Sequence, residues 1–149
     1  MGGRGVAGFD ASALVALRAA AGFSQEELAG LARGHGAQVA GPHICLYERG
    51  RRTPRLGTLS ALASALNVPL AELLQREVAG DLAWLRVRKG LSQRGLASAL
   101  GIAQARWSRI ERGQSTLDDH CVPLAAKLLG ITEVRLRGAL AAARRQPRG

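Results

Sequence analysis

The chain has 149 residues and a formal net charge of +10, and 47% of its residues are apolar while only 3% are aromatic. Because Ala and Leu supply most of the apolar content, the composition favours helices over strands. No run of about 18 apolar residues is present, so the sequence predicts no membrane-spanning helix. A small protein this basic favours a polyanionic partner, and nucleic acid is the leading candidate.

The positive charge is concentrated in the second half of the chain. Residues 1–78 hold 8 basic and 6 acidic side chains, a net charge of +2, whereas residues 79–149 hold 13 and 5, a net charge of +8. Charge alone does not separate DNA from RNA or from an anionic membrane surface.

Targeting and metal-binding patterns are missing from the sequence. The glycine-rich start lacks the apolar run of a secretion signal, so residues 1–9 are expected to form a flexible arm of a cytoplasmic protein. Cys45 and Cys121 lie far apart, which predicts two reduced thiols. His120 beside Cys121 is the one hint of a metal ligand, and a structural site needs about four. We expect no metal, no cofactor and no small-molecule substrate.

An internal repeat organises the chain. Residues 17–29 and 85–97 share Leu, Arg, Gly, Ser, Gln, Leu and Ala at equal spacing, and residues 44–50 and 107–113 both end in Glu-Arg-Gly. The offset is 68 residues in the first match and 63 in the second, so the first copy carries about five extra residues, expected as a loop insertion near residues 33–38. A repeat of this length predicts two domains.

Each copy is predicted to form five short helices punctuated by glycine, so the fold class is all-α. In the first copy, Asp10 precedes helix one and Gly22 ends it, and Ser24 with Glu27 forms a capping box for helix two. Pro42 suits the first turn of helix three, and prolines also begin helices four and five.

The second copy is predicted to place its helices near residues 79–88, 93–100, 103–112, 121–129 and 133–145. Gly95 replaces the capping-box glutamate, which weakens the start of helix two. Asp119 stands where the first copy has Leu56, so helix four is expected to start later, with Pro123 in its first turn.

These helices predict two domains with almost no linker between them. The expected boundaries are residues 10–77 and 79–143, followed by a basic tail at residues 144–149. With so few residues to swivel on, the domains are expected to hold a limited range of orientations.

The motifs that carry a resemblance are residues 22–29 and 44–50 in the first copy and residues 90–97 and 107–113 in the second. They resemble the lambda-repressor-like helix-turn-helix domains of phage repressors and Cro, also called the xenobiotic-response-element family, over nearly the whole chain. The resemblance implies two tandem five-helix domains that bind double-stranded DNA. We therefore expect a bacterial, sequence-specific transcriptional regulator, a repressor or a mobile-element control protein, located in the cytoplasm at the nucleoid.

The same resemblance implies a role for individual residues. Base contacts are expected from helix three, at Gln104, Ala105, Arg106 and Arg109 in the second copy and at Gly41 and His43 in the first. Phosphate contacts are expected from Ser24, Gln25, Arg49, Arg51, Arg52, Arg55, Ser92, Gln93 and Arg112. Ion pairs that brace helix one on helix three are expected between Arg18 and Glu48 and between Arg86 and Glu111.

The two copies are unequal as readers of sequence. Gln bonds adenine bidentately, Arg bonds guanine and Ala contacts a thymine methyl, so the second copy has the side chains of a base reader. At the corresponding positions the first copy has Gly41, Pro42, His43 and Leu46, which offer one polar side chain, yet a dense basic cluster follows at residues 51–55. We infer that the first copy contributes mostly backbone affinity and the second most of the sequence preference.

Other functions remain open at this point. One is a protein-interaction or antitoxin-type module, in which the first copy binds a partner and only the second binds DNA. An enzyme is disfavoured, because no HExxH, phosphate-cradling loop or nucleophile elbow is present. A homodimer through Val134, Leu136 and Leu140 of the last helix is a further alternative.

Overall fold

The computed structural model describes residues 5–75 and 81–145 of the chain. Within these ranges the backbone forms α-helices and 3₁₀ turns, and the only extended pairing is an isolated bridge between Phe9 and Leu74. This confirms the all-α prediction. None of the described helices is long and apolar enough to cross a membrane.

Residue contacts divide the chain into two compact units, Met1–Arg76 (unit 1) and Glu77–Gly149 (unit 2). Each unit buries its own set of apolar side chains, so each has a hydrophobic core of its own. The predicted linker between the copies lies at residues 77–79, outside the described residues.

The described part of unit 1, residues 5–75, forms four α-helices and one 3₁₀ turn. They are α1 (Ala11–Ala21), α2 (Gln25–Gly34), α3 (Gly41–Glu48), α4 (Leu56–Leu66) and a 3₁₀ turn at Leu70–Leu73. Asp10 caps α1 by accepting the Ala13 N–H at 3.1 Å, and Ser24 and Glu27 form a capping box at α2. α2 packs against both α3 and α4, which buries Leu28 completely.

The described part of unit 2, residues 81–145, forms five α-helices, with one 3₁₀ turn before the fourth of them. They are α5 (Leu82–Val87), α6 (Gln93–Leu100), α7 (Gln104–Glu111), a 3₁₀ turn at Asp119–Cys121, α8 (Val122–Leu129) and α9 (Glu133–Arg145). As expected from Asp119, α8 starts later than its counterpart α4, with Pro123 in its first turn, where a missing N–H breaks no hydrogen bond. Helix one is shorter than predicted, because Asp81 caps α5 by accepting the Trp84 N–H at 3.2 Å.

The extra residues of unit 1 lengthen both α2 and the connection after it. α2 has ten residues against eight in α6, and residues 35–40 lead to α3 where residues 101–103 lead to α7. The loop predicted at residues 33–38 therefore begins with two residues that continue α2. Arg33 lies in that last turn of α2 and stabilises the connection to α3, because its guanidinium donates to the Val39 carbonyl at 2.8 Å.

The sequence predicts a flexible arm at residues 1–9. Residues 5–9 instead pack on unit 1, whereas residues 1–4 lie outside the described residues. Val6 is buried, and its N–H donates to the Pro54 carbonyl at 2.8 Å. Phe9 stands edge-on to Tyr47, with ring centroids 6.4 Å apart. The segment packs on unit 1 because these two side chains remove apolar surface from water there.

α9 runs from Glu133 to Arg145, the bounds expected for the last helix, so Arg144 and Arg145, which were also assigned to the basic tail, form its last turn; residues 146–149 of that tail lie outside the described residues. Its last turn approaches the glycine that ends α7: a Cβ built on Gly113 would overlap the backbone carbonyl of Ala143. This close approach places the last turn of α9 against the end of α7.

The surface predicted for a homodimer does not exist as a patch. Leu136 is fully buried and Leu140 packs against the core of unit 2, which leaves Val134 alone, 82% exposed. The prediction of this surface is wrong, because α9 is amphipathic and its two leucines face the core of its own domain.

Candidate nucleic-acid interface

A polar cluster joins the first three helices of unit 1. The Arg18 guanidinium on α1 donates to the two carboxylate oxygens of Glu48 on α3, at 2.5 and 3.0 Å, and to the Phe23 carbonyl at 2.9 Å. The Gln25 amide at the start of α2 also donates to Glu48, at 3.0 Å. Burial raises the pKa of Glu48, but the hydrogen bonds from Arg18 and Gln25 outweigh burial and hold its pKa below the usual value.

Unit 2 contains the same cluster with one more donor. Arg86 donates to Glu111 at 2.5 and 3.2 Å and to the Leu91 carbonyl at 2.8 Å, and Gln93 donates to Glu111 at 2.9 Å. The indole N–H of Trp107 adds a bond to Glu111 at 2.5 Å. The two clusters therefore hold α3 and α7 at a fixed angle to the start of the helix before them.

The outward face of α7 is polar and cationic. Its exposed or half-exposed residues are Gln104, Ala105, Ser108, Arg109 and Arg112. At 3.6 residues per turn these positions share one side of the helix, opposite the buried Trp107 and Ile110. Among the described residues, no side chain bonds the Gln104 amide or the Arg109 guanidinium, so both are available to an external ligand.

Arg106, which was also predicted to contact bases, lies on the flank of α7. Its Nη2 donates to the Thr116 carbonyl at 3.2 Å and to the Asp118 carboxylate at 3.1 Å, both in the loop after α7. In the structure, this guanidinium is held by acceptors of its own domain.

The corresponding face of α3 is mostly apolar. It consists of Pro42, Cys45, Leu46 and Arg49. Gly41 and His43, predicted to contact bases, are turned toward the protein: Gly41 is buried and donates its N–H to Glu26 at 3.0 Å, and the half-buried His43 accepts the Ala40 N–H at Nδ1, at 3.0 Å. This leaves Gly41 almost no surface to offer a base.

The loop after the third helix is basic in unit 1 and acidic in unit 2. Unit 1 exposes Arg51, Arg52 and Arg55, where unit 2 has Gln114, Ser115 and Asp118. The start of the second helix shows the reverse, with Glu26 and Glu27 in unit 1 and Arg94 and Gly95 in unit 2. Unit 1 thus presents positive charge in the loop after the third helix, and unit 2 presents it at the start of the second helix.

Known protein families show to which class of protein these two units belong. A family profile described as helix-turn-helix matches residues 14–73, and a second one, described as a helix-turn-helix domain, matches residues 77–146. The chain belongs to the helix-turn-helix proteins. It carries two copies of the Cro-like domain and is a DNA-binding regulator. Neither the curated proteins nor the solved structures contain a match to the chain.

In this tandem helix-turn-helix protein, α3 and α7 occupy the place of the recognition helix. Gln25 and Gln93, predicted to bind phosphate, lie at the starts of α2 and α6, where each gives one amide N–H to the buried glutamate and keeps the other. The hydroxyls of Ser24 and Ser92 accept backbone N–H groups at 3.0 and 2.9 Å and remain exposed. Helix starts of this kind favour an anion.

Three contacts of the helix-turn-helix units were not foreseen from the sequence. They are Trp107 with Glu111, Glu26 with the Gly41 N–H, and Arg106 with Asp118. The first has a usable signal, because residues four apart on a helix are neighbours. The other two cross between segments at no regular spacing, and no sequence pattern marks them.

Proposed function

We propose that this tandem helix-turn-helix protein is a sequence-specific regulator of transcription, a repressor or a mobile-element control protein. Unit 2 supplies most of the base reading, and unit 1 supplies mostly phosphate contacts. The observation that carries the proposal is the contrast between the outward faces of α7 and α3. α7 presents Gln104 and Arg109, whose side chains have no internal partners within residues 5–75 and 81–145, whereas α3 presents Pro42 and Leu46 at the positions of Ala105 and Arg109.

Base reading by unit 2 follows from the chemistry of those side chains. A glutamine can bond adenine and an arginine can bond guanine in the major groove, each with two hydrogen bonds. Because Arg109 is exposed and α7 is braced through Glu111, this guanidinium starts from a fixed helix and needs no rearrangement of the domain. Ala105 adds a small apolar surface that suits a thymine methyl.

Phosphate binding by unit 1 follows from its loop after α3. Arg51, Arg52 and Arg55 are exposed and near one another in sequence, and Arg49 ends the helix beside them. Such contacts fix a protein on the duplex without reading its sequence. Two unequal units predict an asymmetric site, with the contributions of the two domains about one helical turn apart or a multiple of it.

The test is selection of bound sequences from random duplex DNA at a stated salt concentration, followed by variants of the full chain. R109A is expected to weaken the selected site by about 10- to 100-fold while random duplex changes little. K127A, which removes one exposed charge from α8, serves as the charge-matched control and should leave the preference intact.

The double variant R51A/R52A should weaken the selected site and random duplex alike. The salt slope should also flatten by about 2, since each lost phosphate contact removes about 0.9. A chain that binds no duplex at low ionic strength would overturn the proposed function. A loss of base preference in R51A/R52A, with none in R109A, would reverse the roles of the two units.

A second candidate, a protein-interaction or antitoxin-type module, is favoured by one observation. The outward face of α3 carries Pro42, Cys45 and Leu46, which is an apolar surface where a recognition helix needs hydrogen-bonding groups. If R51A/R52A binds DNA with unchanged affinity and salt slope, unit 1 does not touch the duplex, and this second function becomes the better account of it.

A further inference from the structure

The pair between Arg106 and Asp118 joins α7 to the loop after it, at a place where unit 1 carries a cation. Asp118 stands at the position that Arg55 holds in unit 1, in the loop after the recognition helix. Its carboxylate accepts from Arg106 at 3.1 Å, and both side chains stay partly exposed, at 46% and 33%. Unit 2 therefore carries a negative charge at a position where unit 1 carries a positive one.

We propose that Asp118 is a specificity-determining residue that prevents Arg106 from binding phosphate while leaving it able to bond a base. The inference rests on the proposed function, in which α7 reads the major groove. In this proposal the role of Arg106 depends on Asp118. Arg106 differs in this respect from Arg109, whose guanidinium has no internal partner among the described residues.

The effect of Asp118 on Arg106 is electrostatic. A guanidinium paired with a carboxylate has little net charge, so a phosphate that approaches it meets the repulsion of Asp118 along with the attraction of Arg106. The edge of a base is neutral and is not repelled. Because Nη2 carries both internal bonds, the other N–H donors of the guanidinium remain for guanine O6 or N7.

The consequence concerns binding to the wrong sequences. Phosphate contacts supply nearly all of non-specific affinity, so a recognition helix flanked by a free arginine would hold any duplex more tightly. Asp118 removes that contribution from unit 2 and keeps the hydrogen-bonding capacity of Arg106. The ratio of selected-site to random-site affinity is thereby increased.

The experiment compares D118N with D119N in the full chain, on the selected site and on random duplex over a range of salt. Asparagine keeps an oxygen acceptor for Arg106 and removes the charge. D119N makes the same charge change one residue away, at a carboxylate that pairs with Arg137 on α9 and not with α7. Both positions are exposed, so circular dichroism should report an unchanged fold.

D118N is expected to raise affinity for random duplex about fivefold and to steepen its salt slope by about 0.9, the signature of one new phosphate contact. The selected site should change less than random duplex, so that the affinity ratio falls. D119N should do neither, and adding R106A to D118N should abolish the gain on random duplex.

Three outcomes overturn the inference. If D118N and D119N change the affinity for random duplex equally, the change comes from the net charge of the protein and not from the pair between Arg106 and Asp118. A gain that survives R106A means that another cation binds the phosphate. An unchanged affinity ratio in D118N, with wild-type protein that still selects a site, sinks this inference alone, whereas wild-type protein that selects no site ends the proposed function as well.

Discussion

Trp107 donates its indole N–H to Glu111, one turn further along the same helix, at 2.5 Å. Arg86 and Gln93 bond the same carboxylate, so three side chains converge on Glu111, whereas Glu48 in unit 1 receives two. The Arg86 side chain is also less exposed than that of Arg18, at 10% against 19%. The recognition helix of unit 2 is therefore held by the more buried and more complete of two equivalent clusters.

The first prediction compares loss of the two carboxylates. E111A should destabilise unit 2 by about 3–5 kcal/mol, because it leaves the buried Arg86 uncompensated and the Trp107 N–H unpaired. E48A should cost unit 1 less, since water reaches Arg18 more readily. Tryptophan fluorescence during denaturation follows unit 2, because both tryptophans, Trp84 and Trp107, belong to it; circular dichroism follows both units. Equal losses would contradict the difference in burial.

The second prediction uses the two glycines that end α3 and α7. Gly50 and Gly113 have nearly equal positive φ values, 71° and 77°, but a Cβ has open space at Gly50 and overlaps the Ala143 backbone at Gly113. G50A should therefore cost about 1–2 kcal/mol, for left-handed backbone strain alone. G113A should cost more and expose the last turn of α9 to hydrogen exchange. Protection of that turn unchanged from wild type would refute the close packing.

The repeat is what made the fold predictable. Equal spacing of Leu, Arg, Gly, Ser and Gln in both copies located the helix starts and the glycine stops, because caps and stops act locally. The packing of Val6 on unit 1 and of the last turn of α9 on Gly113 was not predictable in this way. Their positions depend on which parts of each core remain uncovered, and that is a property of the packed domain.

The candidate site likewise has a part that the sequence predicts and a part that it does not. Exposure of Gln104 and Arg109 follows from helical periodicity, so sequence alone could place them on one face. The engagement of Arg106 by Asp118 depends on the path of the loop after α7, and that of the Gly41 N–H by Glu26 depends on the path of the connection from α2 to α3. A sequence pattern gives the residue types at these places but does not give their partners.

The third prediction concerns acid. The pKa of Glu48 is lowered in the folded state, so its contribution to stability is present above the ordinary pKa of 4.5 and is lost as pH falls through the lowered folded value. Unit 1 should thus lose stability progressively as the pH falls below about 4.5. E48Q should be less stable at neutral pH and should show a flatter dependence over this range. Denaturation monitored by circular dichroism from about pH 6 to about pH 3 measures both slopes. Parallel slopes for wild type and E48Q would count against Glu48 as the titrating group.

The last prediction tests what fixes the longer connection of unit 1. Glu26 accepts the Gly41 N–H at the start of α3 and pairs with Arg33 at 3.1 Å, and these bonds, the one from Arg33 first, lower its pKa. Unit 2 has Arg94 at the equivalent position and a shorter connection, so it needs no such contact. E26A should speed hydrogen exchange at the Gly41 amide by about tenfold, because that N–H loses its only acceptor among the described residues, while global stability changes little since the Glu26 side chain is exposed. E27A is the matched control: it removes a carboxylate from the same turn and breaks the capping box of α2 but touches nothing on α3. If E27A exposes Gly41 as much as E26A does, the α3 start is held by the fold of α2 as a whole and not by Glu26.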